Sequence, residues 1–285
     1  MRVLITGAAG QLGRDLVAAC EQAGDTVIAC DHAMLDVTNR DAVLGSVGTV
    51  RPDAVIHTAA WTAVDACESD PERAFRDNAL AVRWVAEAGR RFGAHLVHLS
   101  TDYVFGGDRV GAYRETDEPA PRSEYGRSKR AGEIEALTGA PGATVVRASW
   151  VCGEHGANMV KTVLRLAGER EELAFVDDQR GHPTFTADLA PMLRRLAVDR
   201  VPGILHVTNQ RAVSWFEFAR EVMAAAGHDP ERVRPITTAA LVPPRPAVRP
   251  ANGVLDNAVL RALGYPLLDD FAVPLQALVK RLIAR

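Results

Sequence analysis

In the stretch EYGRSKRAGE, residues 124–133, Tyr125 stands four positions ahead of Lys129. On a helix that spacing puts a phenol and an ammonium on one face. A tyrosine with an ordinary pKa of about 10 is a poor acid–base group at neutral pH. A neighbouring cation stabilises the phenolate and lowers that value, and the phenol can then hand a proton to a substrate oxygen. Both residues are common on helices, so the pair carries weight only in company. Part of that company is Ser100-Thr101-Asp102, at the end of the apolar run His95–Ser100, where Thr101 can hydrogen-bond the same oxygen. Asn78, inside a helical pattern over Pro71–Arg91, offers either a water site linking Lys129 to solvent or an amide that the helix merely tolerates.

The elements that must position these residues alternate along the first half of the chain. Arg2–Thr6, Thr26–Cys30, Ala54–His57, His95–Ser100 and Ala143–Arg147 are rich in Val, Ile and Leu, as strands buried on both faces are. Helical patterns fall between them at Gln11–Gln22, Arg40–Val47, Pro71–Arg91 and Ser123–Leu137; Asp70 and Pro71 supply a cap and a helix-start proline. This order predicts an α/β protein, a doubly wound parallel sheet with helices on both faces. After residue 150 the pattern loosens into helices at Ala157–Ala167, Ala187–Leu196 and Trp215–Ala226 and a strand at Ile204–Val207. The run 241–253, with Pro243, Pro244, Pro246 and Pro250, excludes regular structure and is expected as a wrapping loop or a linker. The expected division is a dinucleotide-binding domain over 1–149, with 184–207 returning to it, and a substrate-binding lobe from 150–183 and 208–285.

The first strand runs into GAAGQLG, with glycines at 7, 10 and 13. A strand before and a helix after turn a weak glycine triplet into a dinucleotide signature. The glycines let the backbone approach a pyrophosphate, and the free N–H groups of Gln11, Leu12 and Gly13 point at it. Asp31, ending the second strand, is placed for the adenosine ribose hydroxyls. NADPH or NADH is therefore the expected cofactor. Asp31 repels a 2′-phosphate and the following His32-Ala33 offers no arginine to offset it, which tilts the reading toward NADH. Asp36-Val37 falls where a loop reaches the adenine edge, or where an acid simply favours a helix start. Thr58-Ala59-Ala60, small residues at the third strand's tip, let the cofactor lie close.

With 285 residues, 47% of them hydrophobic and 24% charged, the chain is long enough for a substantial core. A net charge of -3 gives no electrostatic reason to expect nucleic acid. Cys20, Cys30, Cys67 and Cys152 show no metal-site spacing and read as structural thiols of a reducing compartment. The apolar run in MRVLITG is too short for a signal segment or a membrane span, so a cytoplasmic protein is expected.

The glycine turn, the Ser-Thr strand tip and the Tyr-x-x-x-Lys pair together resemble the extended short-chain dehydrogenase/reductase family, with its Rossmann-type sheet and smaller C-terminal substrate-binding lobe. STDYVFGG, YRETDEPAPRSEYGRSKRAGE, the block from Val145 to Thr184 and RPANGVLDN are similar to successive motifs of the dTDP-4-dehydrorhamnose reductases within it. That resemblance implies NAD(P)H-dependent reduction of the C4 ketone of dTDP-4-dehydro-L-rhamnose in nucleotide-sugar biosynthesis. It makes Tyr125 the proton donor, has Lys129 lower its pKa and hold the nicotinamide ribose, puts Thr101 and Asp102 on the sugar, and lays Trp150 over it. Ordinary core packing is the alternative for Trp150. Arg249, in the proline-rich run, is a candidate pyrophosphate contact or a solvated loop arginine. Two departures stand out: Cys152 occupies a position where relatives commonly carry an aromatic, and no acid follows GHPT to complete the magnesium site through which some relatives dimerise. No metal is therefore carried over, Asp15 is expected as an acid favourable to its helix, and a homodimer is allowed but not required. Tyr103 after Asp102 argues against a dehydratase, which needs Asp-Glu there. A reductase of another dTDP-4-keto-deoxysugar and a noncatalytic dinucleotide-binding subunit remain open, the latter disfavoured by the intact Tyr-Lys pair.

Overall fold

The computed structural model describes residues 1–284. The strands β1 (Arg2–Thr6), β2 (Thr26–Cys30), β3 (Ala54–His57), β4 (His95–Thr101) and β5 (Thr144–Ala148) match the apolar runs to within a residue at each end. With the edge strand Gly203–His206 they form a six-stranded sheet in the order edge strand, β5, β4, β3, β1, β2. Every pairing in it is parallel. The chain leaves β1 outward to β2 and returns to β3 on the other side. The loops after β1 and β3 therefore diverge at the sheet's carboxyl edge and open a crevice there, the place where open α/β sheets bind ligands.

Helix α1 (Gln11–Gln22) and the helix Thr186–Asp199 cover one face, burying Leu12, Leu16, Leu189 and Leu193 against β1, β3 and β5. Helix α2 (Arg40–Val50) and the helices Ala81–Phe92 and Glu124–Gly139 cover the other with Val43, Val47, Val82, Val85 and Ala136. A separate core built on Val163, Phe185, Phe218, Met223, Phe271 and Leu275 holds the helices Met159–Glu169, Trp215–Ala225 and Ala272–Ile283 together. The last of these was not anticipated; its Pro274 falls in the first turn, where a missing N–H costs nothing. Leu260 and Leu268, by contrast, join the core beneath the sheet.

Helix 124–139 starts one residue later than expected because Ser123 is its cap, accepting from Gly126 N–H at 3.1 Å. The long helical pattern from Pro71 is continuous but changes winding: Arg76–Leu80 is a π turn between the α segments Pro71–Phe75 and Ala81–Phe92. Single π turns insert an extra residue and concentrate at functional places; this one carries Asn78. The proline-rich run is a wrapping loop. It straps the carboxyl edge, with Asn252 N–H donating to Gly107 O at 3.1 Å and Gly253 N–H to Arg180 O at 2.8 Å. Among the described residues no helix is long and apolar enough to cross a membrane.

Candidate active site

The crevice between β1 and β3 is a cleft of about 670 Å³ lined by Gly7, Gly10, Asp31, Asp36, Val37, Thr58, Ala59 and Ala60 among others. Gly7 has φ +70° and lies so close to Ala59 that a Cβ would overlap that residue's backbone. Gly13 packs beneath the Gly7 carbonyl with no room for a side chain either. Helix α1 begins at a glycine cap with no side-chain hydrogen bond and no acid in its first turn. Its N–H groups are thus left for a ligand anion, so the residues present fit a dinucleotide diphosphate. Gln11 and Leu12 do not line the cleft through their side chains. Leu12 is buried, while Gln11 donates to Val151 O at 2.9 Å and accepts from Asn158 at 2.7 Å, pinning the 151–158 segment to α1. Asp36 accepts from the N–H and hydroxyl of Thr38, which hold its carboxyl below the ordinary range. Sequence reasoning missed eight wall residues, among them Trp61, Arg73, Arg76 and Asp77.

At the tip of β4 the polar groups are buried. Thr101, Asp102, Tyr125 and Lys129 are exposed by 7%, 3%, 8% and 3%. Thr101 Oγ1 donates to Asp102 Oδ1 at 3.0 Å and accepts from Tyr103 N–H at 3.2 Å, and Gly253 of the strap closes over the same carboxyl. Burial pushes the Asp102 pKa up to about 7. Burial, and then the Asp102 carboxyl, push the Tyr125 phenol up as well, with the Thr101 hydroxyl pulling it back. Lys129, expected to depress the phenol, is not among the main groups that set this shift. The Lys129 ammonium is turned to Leu99 O, to which it donates at 2.7 Å, and burial lowers its own pKa to about 8. Tyr125 is thus a neutral phenol, and a positive charge brought close to it is what would move its pKa toward the working pH. Tyr125 packs in one cluster with Trp61, the residue that also lines the cleft, and stands edge-on to Tyr103 at 5.4 Å. Tyr125 and the glycine-lined cleft therefore share a wall.

Below this cluster lies a network that was not read from the sequence. Glu133 accepts from Arg147 at 2.7 and 2.8 Å, from Ser100 at 2.6 Å and from Arg130 at 3.0 Å. Burial opposes its charge, but those donors prevail and hold the carboxyl below its usual range. The Arg147 guanidinium stacks over Phe105 at 4.9 Å. His57 and His98, paired across β3 and β4 with rings 5.5 Å apart, are kept neutral by burial and by Lys129. Asn78 is also more than tolerated. It accepts from Trp61 N–H at 2.8 Å and donates to Trp61 O and to the Ser128 hydroxyl, each at 3.0 Å. The π turn thereby stitches the cleft wall to the helix carrying Tyr125.

Three other expectations are redrawn. Trp150 has φ +46° and stacks on Trp215 at 3.5 Å, with Gly181 on its edge, so it is anchored in the lobe core while remaining half-buried. Arg249 is neither solvated nor free: it grips Asp65 through both carboxylate oxygens and donates to Ala247 O at 2.8 Å. Asp15 lies beyond the first turn of α1, too far in to act as a helix-start acid. It accepts from the Thr186 hydroxyl instead, joining the two helices beneath the sheet. Cys152 is buried in the lobe core. All four cysteines are buried free thiols, and among the described residues no cluster of three or more His, Cys, Asp or Glu is arranged to hold a metal.

A Rossmann-type sheet with a glycine cradle and a buried Thr-Tyr-Lys set beside it defines an NAD(P)H-dependent oxidoreductase of the extended short-chain class. The family model described as "RmlD substrate binding domain" matches residues 1–283, and the chain belongs to that family. It is 46% identical over 275 residues to a "probable dTDP-4,6-dihydroxy-2-methyloxan-3-one 4-ketoreductase" of Streptomyces antibioticus, covering 95% of this chain and 92% of the relative. A dTDP-4-dehydrorhamnose reductase of Streptomyces griseus is 43% identical over 280 residues, 96% of this chain and 91% of its own. Among solved structures, the dTDP-4-dehydrorhamnose reductase of Bacillus anthracis in complex with NADP superposes with a TM-score of 0.92 at 38% identity, covering 99% of this chain and 98% of that one.

Proposed function

We propose that this protein reduces the C4 ketone of dTDP-4-dehydro-L-rhamnose to dTDP-L-rhamnose with NADPH or NADH. The observation that carries the reading is the burial of Thr101, Tyr125 and Lys129 at the tip of β4, on a wall shared with the glycine-cradled cleft. When bound, the reduced nicotinamide supplies the hydride that reaches C4. Thr101 orients the ketone oxygen by a hydrogen bond, and Tyr125 gives that oxygen its hydroxyl proton. Lys129, anchored on Leu99 O, holds the ribose and places its charge where a phenolate forms. Asp102, beside Thr101, contacts the sugar, and Trp150 covers it. Arg249 reaches a pyrophosphate only by giving up part of its grip on Asp65. In this reading residues 1–149 and 184–207 bind the dinucleotide, and 150–183 and 208–285 bind the sugar nucleotide in a cytoplasmic enzyme, as a monomer or a homodimer.

A second reading, reduction of another dTDP-4-keto-deoxysugar, is favoured by Cys152 and by the 46% identity to a relative with such a name. Mixing the protein with NADPH and dTDP-4-dehydrorhamnose should bleach the near-ultraviolet absorbance of the reduced nicotinamide, and NMR should find the rhamno product. Turnover only with other 4-ketosugar nucleotides would select the second reading. Binding of NADPH without bleaching by any of them would make the protein a noncatalytic subunit.

A further inference from the structure

Asp31 lines two hollows at once: the main cleft, and a shallower one of about 350 Å³ on its other side formed with Ala9, Arg14, Val17 and His155. We propose that this second hollow receives the 2′-phosphate of NADPH, with Arg14 as the residue that recognises it and His155 as a secondary donor; the proposal rests on the reductase reading above. A ribose held at Asp31 has its 2′ and 3′ oxygens on adjacent carbons, so a 2′-phosphate enters one of the two hollows that meet at this carboxylate.

The cations decide which. In the main cleft Arg73 and Arg76 reach Asp77 through Nε at 3.3 and 2.9 Å and share the wall with Asp31 and Asp36 as well, so their two charges meet three carboxylates. Arg14 uses only Nε, which donates to Ala9 O at 3.2 Å and fixes the side chain beside the glycine turn. Its two terminal nitrogens make no hydrogen bond within the described residues, and this planar fork suits phosphate oxygens. His155 is brought there by the 151–158 segment that Gln11 and Asn158 pin to α1, and its Nε2 stands 3.8 Å from Asp15. One oxygen of Asp31 is already engaged by Met34 N–H at 2.9 Å, which softens its repulsion of a second anion. Sequence reasoning looked for this arginine just after Asp31, whereas the fold supplies it from α1.

The test is the dissociation constant of NADPH and of NADH, read by nucleotide fluorescence, because the two differ only in that phosphate. Wild type should bind NADPH at least about tenfold more tightly, the worth of a charge-assisted contact. Arg14→Gln should bring the ratio close to one by weakening NADPH alone, Arg14→Lys should keep part of it, and His155→Ala should lower it less. Asp31→Ala should weaken NADH more than NADPH. Arg14 is exposed, so an unchanged melting temperature is expected of its variants. An unaltered ratio in Arg14→Gln, or equal losses for both dinucleotides, would overturn the assignment and leave the reductase reading standing. Failure of wild type to bind either dinucleotide would instead bring down that reading.

Discussion

The two ends of the crevice are built by opposite means. In the reading proposed above, recognition at the dinucleotide end falls to the backbone: glycines at 7 and 13 leave room, helix N–H groups face outward, and the rim arginines 73 and 76 are half in solvent. At the chemical end, Asp102, Tyr125 and Lys129 are nearly dry, and burial shifts all three pKa values toward their neutral forms. Binding a bulky anion needs shape and open donors. Moving one proton needs a low dielectric, which makes any misplaced charge costly. The dry end accordingly rests on a second layer in which Glu133 pairs with Arg147 and Asn78 with Ser128.

If that division holds, chemistry and affinity should separate. Tyr125→Phe should lower turnover by about 10²–10⁴-fold, the scale of one general acid, while the dissociation constant for NADPH stays within about twofold, since a phenyl ring preserves the packing against Trp61 and Tyr103. Stopped-flow turnover and equilibrium fluorescence on the same preparation check both halves. Most of the turnover surviving would remove Tyr125 as proton donor, and a large loss of NADPH binding would show that the two ends are not separable.

The same contrast explains what was legible beforehand. The strands and the glycine turn were readable to within a residue because both obey local rules: apolar runs for strands buried on two faces, and glycine where backbones must touch. Thr101, Tyr125 and Lys129 were readable as a spacing pattern at a strand tip and on one helix face. Glu133, Arg147 and Ser100 were not, because the network joins residues from three elements and nothing local marks a glutamate as one that will be buried. Neither was the role of Asn78, which depends on a π turn that no residue pattern announced. The anchoring of Lys129 was hidden for a related reason: a one-turn spacing from Tyr125 says nothing about the Leu99 carbonyl that claims the ammonium.

The hidden layer offers the next test. Glu133 and Arg147 side chains are 0% and 1% exposed, so removing one partner strands the other's charge. Glu133→Gln should cost about 3–5 kcal/mol of folding free energy by chemical denaturation, whereas Glu133→Gln with Arg147→Met should recover a good part of it. Comparable surgery at the rim, Asp77→Asn, should cost less than about 1 kcal/mol because that carboxylate's partners are half-exposed. Equal costs at the two places would erase the distinction between a dry, supported end and a wet, open one.

The last contrast between the two ends is read through pH. Burial raises the folded-state pKa of Asp102 from 3.8 to about 7, so between those values the native protein binds a proton that the unfolded chain has released. The stabilising contribution of the protonated carboxyl is therefore complete below the lower value and disappears as pH climbs through the higher one. Asp102→Asn has no proton to lose. Its melting temperature relative to wild type should rise steadily as the pH goes from near 4 to near 7, then level off, with the contact from Thr101 retained throughout. A gap that stays flat over that range would mean that the carboxyl is ionised in the native state and that water reaches the tip of β4. The chemical end would then be as wet as the cofactor end, and burial could no longer be what raises the Tyr125 pKa.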